Sequence, residues 1–200
     1  MLALSALDRR TRRTKANLEE GLLQLMETKS INSITVRELT EKVDINRSTF
    51  YLHYTDIYDM IDQMEQELID GFYDELDRNR EERTTEEDVY HFMEKAVAKL
   101  LENRRRILIL CGENGDHTFI NKLAEVTYRQ AHLWFQRILG ENADRRHVEL
   151  AISFFCSGCV ALLDKWLRDS STMNPKVVID IMFQLVQTGS SGFLKDKPRI

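Results

Sequence analysis

The sequence predicts an all-α protein, with a small three-helix head at its N-terminus and a larger helical body behind it. Three observations carry this. Only two prolines and eight glycines occur in 200 residues, far fewer turn residues than a β-rich chain of this length needs. Apolar residues recur at intervals of three and four along most of the chain. No stretch reads as a strand, an internal repeat or a low-complexity segment. The chain is long enough to bury a core without disulfides or a structural metal.

The first helix is predicted from about Asp8 to Lys29, where Leu18, Leu22, Leu25 and Met26 make one stripe. The polar stretch from Ser30 to Ser33 interrupts it. Thr35 opens a second helix with Glu38 three residues on, the pattern of a capping box. Val36, Leu39 and Val43 are its buried face. Asp44 tolerates a left-handed turn. Asn46 caps a third helix, Arg47 to Tyr54, with Ile45 placed as a hydrophobic staple. The head therefore occupies residues 8–54 and the body 55–190.

In the body, Asp56 caps a helix running toward Arg80 on Ile57, Met60, Ile61, Met64, Leu68 and Phe72. Thr84-Thr85 breaks the chain. Further helices are expected over Glu86–Asn103, Arg104–Cys111, Asp116–Leu139 and from a cap at Asp144 to Leu167. Asn174-Pro175 starts the last one, with proline at the first helical position. The tail from Gly189 reads as frayed.

The net charge is −5, and its distribution says more than its sum. Residues 1–54 carry nine Lys/Arg and seven Asp/Glu, and residues 55–200 carry nineteen and twenty-six. Arg9, Arg10, Arg12, Arg13 and Lys15 stand against Asp8 alone. A basic arm on a compact helical unit, ahead of an acidic body, is the layout of a nucleic-acid-binding head. Charge alone fits a solvated tail equally well. The run from Asp56 to Asp88 holds fourteen acidic residues and three arginines and reads as a solvated face.

No signal-peptide core is seen, and three cysteines suit a reducing compartment. No apolar stretch reads as long enough to span a bilayer; the best, about 151–163, contains Ser and Cys. A cytoplasmic protein is expected.

Residues 35–54 hold two short helices joined by a three-residue turn, the size of a helix-turn-helix whose second helix enters the major groove. Phe50 and Tyr54 are i, i+4 partners that should pack inward. Arg47 and Tyr51 lie on another face beside Ser48 and Leu52, and Thr49 and His53 on a third. Arg offers a fork to guanine, Ser and Thr suit bases or phosphates, and Tyr and His suit phosphates. Spacing alone leaves an ordinary helical hairpin with a polar face equally open.

Residues of about 13–60 resemble the N-terminal domain of the TetR/AcrR regulators. The likeness lies in Leu18 to Met26, in Thr35-Val36-Arg37-Glu38-Leu39 and in Asn46-Arg47-Ser48-Thr49-Phe50-Tyr51-Leu52-His53-Tyr54. The resemblance implies a DNA-binding transcription regulator acting on a palindromic duplex operator. It places Arg47, Ser48 and Thr49 against bases or phosphates, Tyr51 and His53 against the backbone, and Thr35 at a phosphate. Arg12 and Lys15 join them as basic contacts. It also implies a homodimer through about 144–168 and 174–188, whose broad apolar surfaces otherwise read as a lone packed core. A ligand-responsive repressor follows, with a possible small-molecule effector among Tyr90, Phe92, Met93, Tyr128, Trp134 and Phe154, residues that read first as ordinary core. Family members often have Gly at Ser30 and Asp44, and usually carry Lys where Thr55 and Ile57 stand. Asp56 and Asp59 beside them would repel DNA. A protein-partnered coactivator with weak or no DNA binding of its own is the alternative.

Cys156-Ser-Gly-Cys159 has redox-motif spacing but lacks the βαβ setting, so packing is expected, with a thiol or metal sensor as the rival. No enzyme, cofactor or metal site is predicted.

Overall fold

The computed structural model describes residues 2–77, 85–116, 118–139, 145–169 and 173–195, with backbone alone for 2–8, 75–77, 86, 133–139, 145 and 190–195. Every element among them is helical. They are α1 (Leu2–Met26), α2 (Val36–Lys42), α3 (Arg47–Phe50), α4 (Ile57–Asp77), α5 (Glu86–Glu102), α6 (Arg104–Leu110), α7 (Phe119–Leu139), α8 (Arg145–Arg168) and α9 (Pro175–Lys195). The expected positions Arg80, Thr84 and Asp144 lie outside the described residues.

The chain packs as two compact units. Residues 1–68 and 105–119 form the first, and 69–104 with 120–200 the second. In the first, Leu18, Leu22 and Met26 of α1, Leu39 of α2, Phe50 of α3 and Met60 and Met64 of α4 are fully buried. Leu25 of the expected stripe is half-buried, and Leu23 takes the inner place. The basic stretch Arg9–Lys15 lies within α1 rather than on a free arm. Gly21 is where α1 crosses α2: a Cβ built there falls 2.2 Å from Val43 Cγ1 and 3.2 Å from Leu39 Cδ1.

Helix α6 is bolted into this unit by two arginines. Arg105 pairs with Glu20 at 2.8 Å and Glu27 at 2.9 Å. Arg106 donates to Met64 O at 3.1 Å and lies 3.6 Å from Glu19 and 3.4 Å from Glu67. The Asn114 side chain donates to Met26 O, and Asn114 O accepts from the Ile31 amide. These bonds occupy carbonyl and amide groups that the end of α1 and the 3-10 turn Ile31–Ser33 would otherwise leave open.

In the second unit, Met93 and Val97 of α5 meet Val178, Ile179, Met182 and Val186 of α9 in one apolar cluster. Tyr90 donates to Asp180 at 2.7 Å, and this bond pushes its phenol up to about 12. A second cluster, Val148, Ile152 and Cys156 of α8, packs with Tyr128 of α7, whose hydroxyl lies 3.0 Å from Ser153 Oγ and 3.1 Å from Ser157 Oγ.

Several boundaries move. Helix α7 starts at Phe119, because Asp116 takes the Thr118 amide and hydroxyl at 2.8 Å and acts as the cap. Helix α9 runs past Gly189 to Lys195. Thr85 and Asp88 make a reciprocal capping box at α5. Among the described residues one helix, Arg146–Arg168, is long and apolar enough to cross a membrane by length and composition, with mean hydropathy 1.5. Its serines and cysteines do not lower the average enough to bear out the shorter reading. Little of that stretch is buried, which leaves an apolar face to be accounted for.

Gly21→Ala should push α1 from α2 and cost about 1–3 kcal/mol. Urea denaturation would show this as a lower midpoint; an unchanged midpoint would contradict the close crossing.

Candidate nucleic-acid interface

The interface is built from α2, the turn and α3. Thr35 caps α2 by accepting the Glu38 amide at 3.2 Å. The capping box is only half made, because the Glu38 carboxylate is paired with Lys29 instead of the cap amide. Asp44 adopts φ 53, the left-handed turn expected of it. Asn46 then starts α3: its Oδ1 accepts the Ser48 amide and hydroxyl, both at 3.1 Å.

Regular α-helix ends at Phe50, four residues before the expected Tyr54. The last turn tightens. Leu52 N bonds Thr49 O at 3.3 Å and His53 N bonds Phe50 O at 2.9 Å, three-residue spacings, before Tyr54 N returns to Phe50 O at 3.0 Å. Such tightening is a usual way to satisfy a helix end.

Burial then sorts the side chains. Phe50 is 0% exposed and Tyr54 2%, their rings 5.6 Å apart. Arg47 and Ser48 are exposed, Thr49 and His53 half-buried. Tyr51 is 58% exposed and Leu52 79%. The Arg47 side chain makes no hydrogen bond or ion pair among the described residues, while its carbonyl accepts the Tyr51 amide at 3.1 Å. Arg47, Ser48, Tyr51 and Leu52 thus share one short exposed segment. Leu52 was placed on this face by helical spacing but given no role there.

Thr35 is exposed at the start of α2, and Arg12 is exposed on α1. Lys15 is half-buried and used internally: its Nζ donates to Gln63 Oε1 at 3.4 Å and stands 5.3 Å above the Tyr54 ring. Tyr54 is pinned further by Glu19. Burial, then the Glu19 charge, pushes the Tyr54 phenol well above its ordinary range. Burial raises the Glu19 carboxyl, against the pull of Arg106. Asp56 and Asp59 close the start of α4: Asp59 N donates to Asp56 Oδ1 at 2.8 Å, and Thr55 N donates to Asp59 Oδ2 at 2.7 Å. The Thr55 amide, with Gln63, holds the Asp59 carboxyl below its usual range.

The candidate effector residues fall in different parts of the second unit. Tyr90, Phe92 and Met93 belong to the α5–α9 cluster, Tyr128 to the α7–α8 cluster, and Phe154 is 74% exposed. The Trp134 side chain lies outside the described residues. Phe154 instead lines an open apolar face with Leu150, Gly158, Ile181 and Leu185. Cys156 and Cys159 pack in the two clusters, and burial pushes their thiols up to about 12 and about 11.

A capped helix, a left-handed turn and a short exposed second helix define a helix-turn-helix regulator fold. Residues 87–188 match a TetR-type family described as a transcriptional regulator C-terminal region. The chain belongs to the TetR family of transcriptional regulators. It is 32% identical over 57 residues to the uncharacterized HTH-type transcriptional regulator YxbF of Bacillus subtilis; the match covers 28% of this chain and only 15% of that protein. A TetR transcriptional regulator from Streptococcus agalactiae aligns with a TM-score of 0.62 at 17% identity, covering 92% of this chain and 98% of its own. FadR from Bacillus subtilis, solved with stearoyl-CoA, aligns at 0.64 and 13% identity, covering 87% and 98%. These two likenesses establish the fold.

The thiolate is the reactive form of cysteine, so the raised thiols predict slow alkylation of Cys156 and Cys159 at pH 7–8 in the folded protein. Labelling should become fast in urea. Rapid labelling of the native protein, read by mass spectrometry, would contradict their burial and revive the thiol-sensor reading.

Proposed function

We propose that this chain is a homodimeric repressor that binds a palindromic duplex operator through Arg47, Ser48, Thr49, Tyr51 and His53, with Thr35 and Arg12 at phosphates. The observation that carries this is the exposure of Arg47, Ser48 and Tyr51 directly beside the wholly buried Phe50. A four-residue helix does not hold itself together. Here a buried aromatic anchors it while its polar face stays open. Lys15 contributes by supporting Tyr54. Residues 8–54 are the reading head and 55–190 the dimerising and effector-binding part of a cytoplasmic protein, with no catalytic role.

The apolar face of α8 and α9 supports the dimer. Leu150 is 69% exposed, Phe154 74% and Leu185 62%. Large contiguous apolar patches mark interaction surfaces, and a two-fold axis lets the same patch meet itself. The stearoyl-CoA of the Bacillus subtilis FadR favours an apolar effector held among the α5–α9 side chains. Its binding would favour one spacing of the heads.

Asp56 and Asp59 favour a second reading, in which the protein binds DNA weakly and acts through a partner. Selection from a random duplex pool decides between the two. The first reading expects an inverted repeat whose affinity falls steeply with salt; absence of any shift at low salt supports the second.

Arg47→Ala should weaken the selected duplex by about 1–3 kcal/mol, and Tyr51→Phe by less. Unchanged affinity in both would show that another element reads the DNA. Phe154→Glu with Leu185→Glu should give monomers in sedimentation; a persistent dimer would place the interface elsewhere.

A further inference from the structure

We propose that Leu52 is a specificity-determining residue that reads the 5-methyl group of thymine in the major groove. The inference rests on the DNA-binding reading above and deepens it. Leu52 is the most exposed large apolar side chain among the described residues, at 79%. Its backbone is fixed, with its amide bonded to Thr49 O at 3.3 Å and the next residues tied back to Phe50. The side chain is therefore presented on a rigid turn.

A lone exposed leucine is unremarkable on most surfaces. This one stands in the segment that also exposes Arg47, Ser48 and Tyr51. Those neighbours carry hydrogen-bonding groups that serve phosphates and base edges. An isobutyl group serves neither. The apolar feature that the major groove offers is the thymine methyl, and a leucine exposed in the same segment as Arg47 and Ser48 is placed to meet it by contact alone once that segment enters the groove. Folding gives no rival reason for leucine here, because so exposed a side chain buries almost nothing in the protein itself. Leu52→Ala therefore leaves the folding midpoint nearly unchanged, and the variant is a clean probe.

The test is a double-mutant cycle between side chain and base. A duplex obtained by selection is resynthesised with deoxyuridine replacing each thymine in turn, which removes one methyl and nothing else. Wild type should lose about fourfold in affinity at one position per half-site, the worth of one buried methyl. Leu52→Ala should bind the thymine and deoxyuridine duplexes alike at that position. Equal losses for both proteins, or no loss at any position, would overturn the assignment. Unchanged affinity of Leu52→Ala for every duplex would also overturn it and assign the side chain to a protein contact. If wild type selects no duplex at all, the DNA-binding reading fails first and takes this inference with it. Binding by wild type with a null cycle removes this inference alone.

Discussion

Everything proposed for the head depends on the burial of Phe50 and Tyr54. The segment that carries Arg47 and Tyr51 is too short to be helical alone. Its shape is imposed by two rings packed 5.6 Å apart in the first unit's core. Tyr54 carries a second load, being held by Glu19 and overlaid by Lys15. Glu19 in turn lies beside Arg106 of α6. The recognition segment, through Tyr54, the first helix and the sixth helix thus share one half-buried polar junction, in which charges gain from being paired.

The same junction shows how charge is spent. The basic stretch lies within the first helix, as the helix expected from Asp8 implies, and Lys15 is turned toward Tyr54 and Gln63. Arg105 is tied to two glutamates on exposed surface, where each pair contributes little on its own but together they fix the angle of α6. Asp56 and Asp59 would face a phosphate backbone unfavourably, and their geometry gives the structural reason for them: Asp56 accepts the Asp59 amide in the first turn of α4, and Asp59 accepts the Thr55 amide just before it. If the head binds DNA as proposed, capping and DNA affinity pull in opposite directions at that helix end.

Local chemistry made much of this legible in the sequence. Thr35, Asp44, Asn46 and Pro175 each do in the structure what their side chains or rings dictate. The inward Phe50 and Tyr54 followed from helical spacing. Features that depend on distant partners were not legible. Glu38 is drawn from its cap by Lys29. Helix α6, from Arg105 on, packs in the first unit although helix α5 before it and nearly all of α7 after it belong to the second. Helix α3 ends early because its last turn tightens. Tyr90, Phe92 and Met93 fall in one cluster, Tyr128 in another and Phe154 on an exposed face, because an apolar side chain in a long helix carries no mark of which neighbour it will meet.

Side-chain oxidation footprinting tests the account most directly, since it reports the exposure of single residues with and without duplex. Free protein should be oxidised at Tyr51 and Leu52 and shielded at Phe50 and Tyr54, and an operator-length duplex should shield Tyr51 and Leu52 as well. Oxidation of Phe50 in the free protein, or undiminished oxidation of Tyr51 and Leu52 under saturating duplex, would contradict it.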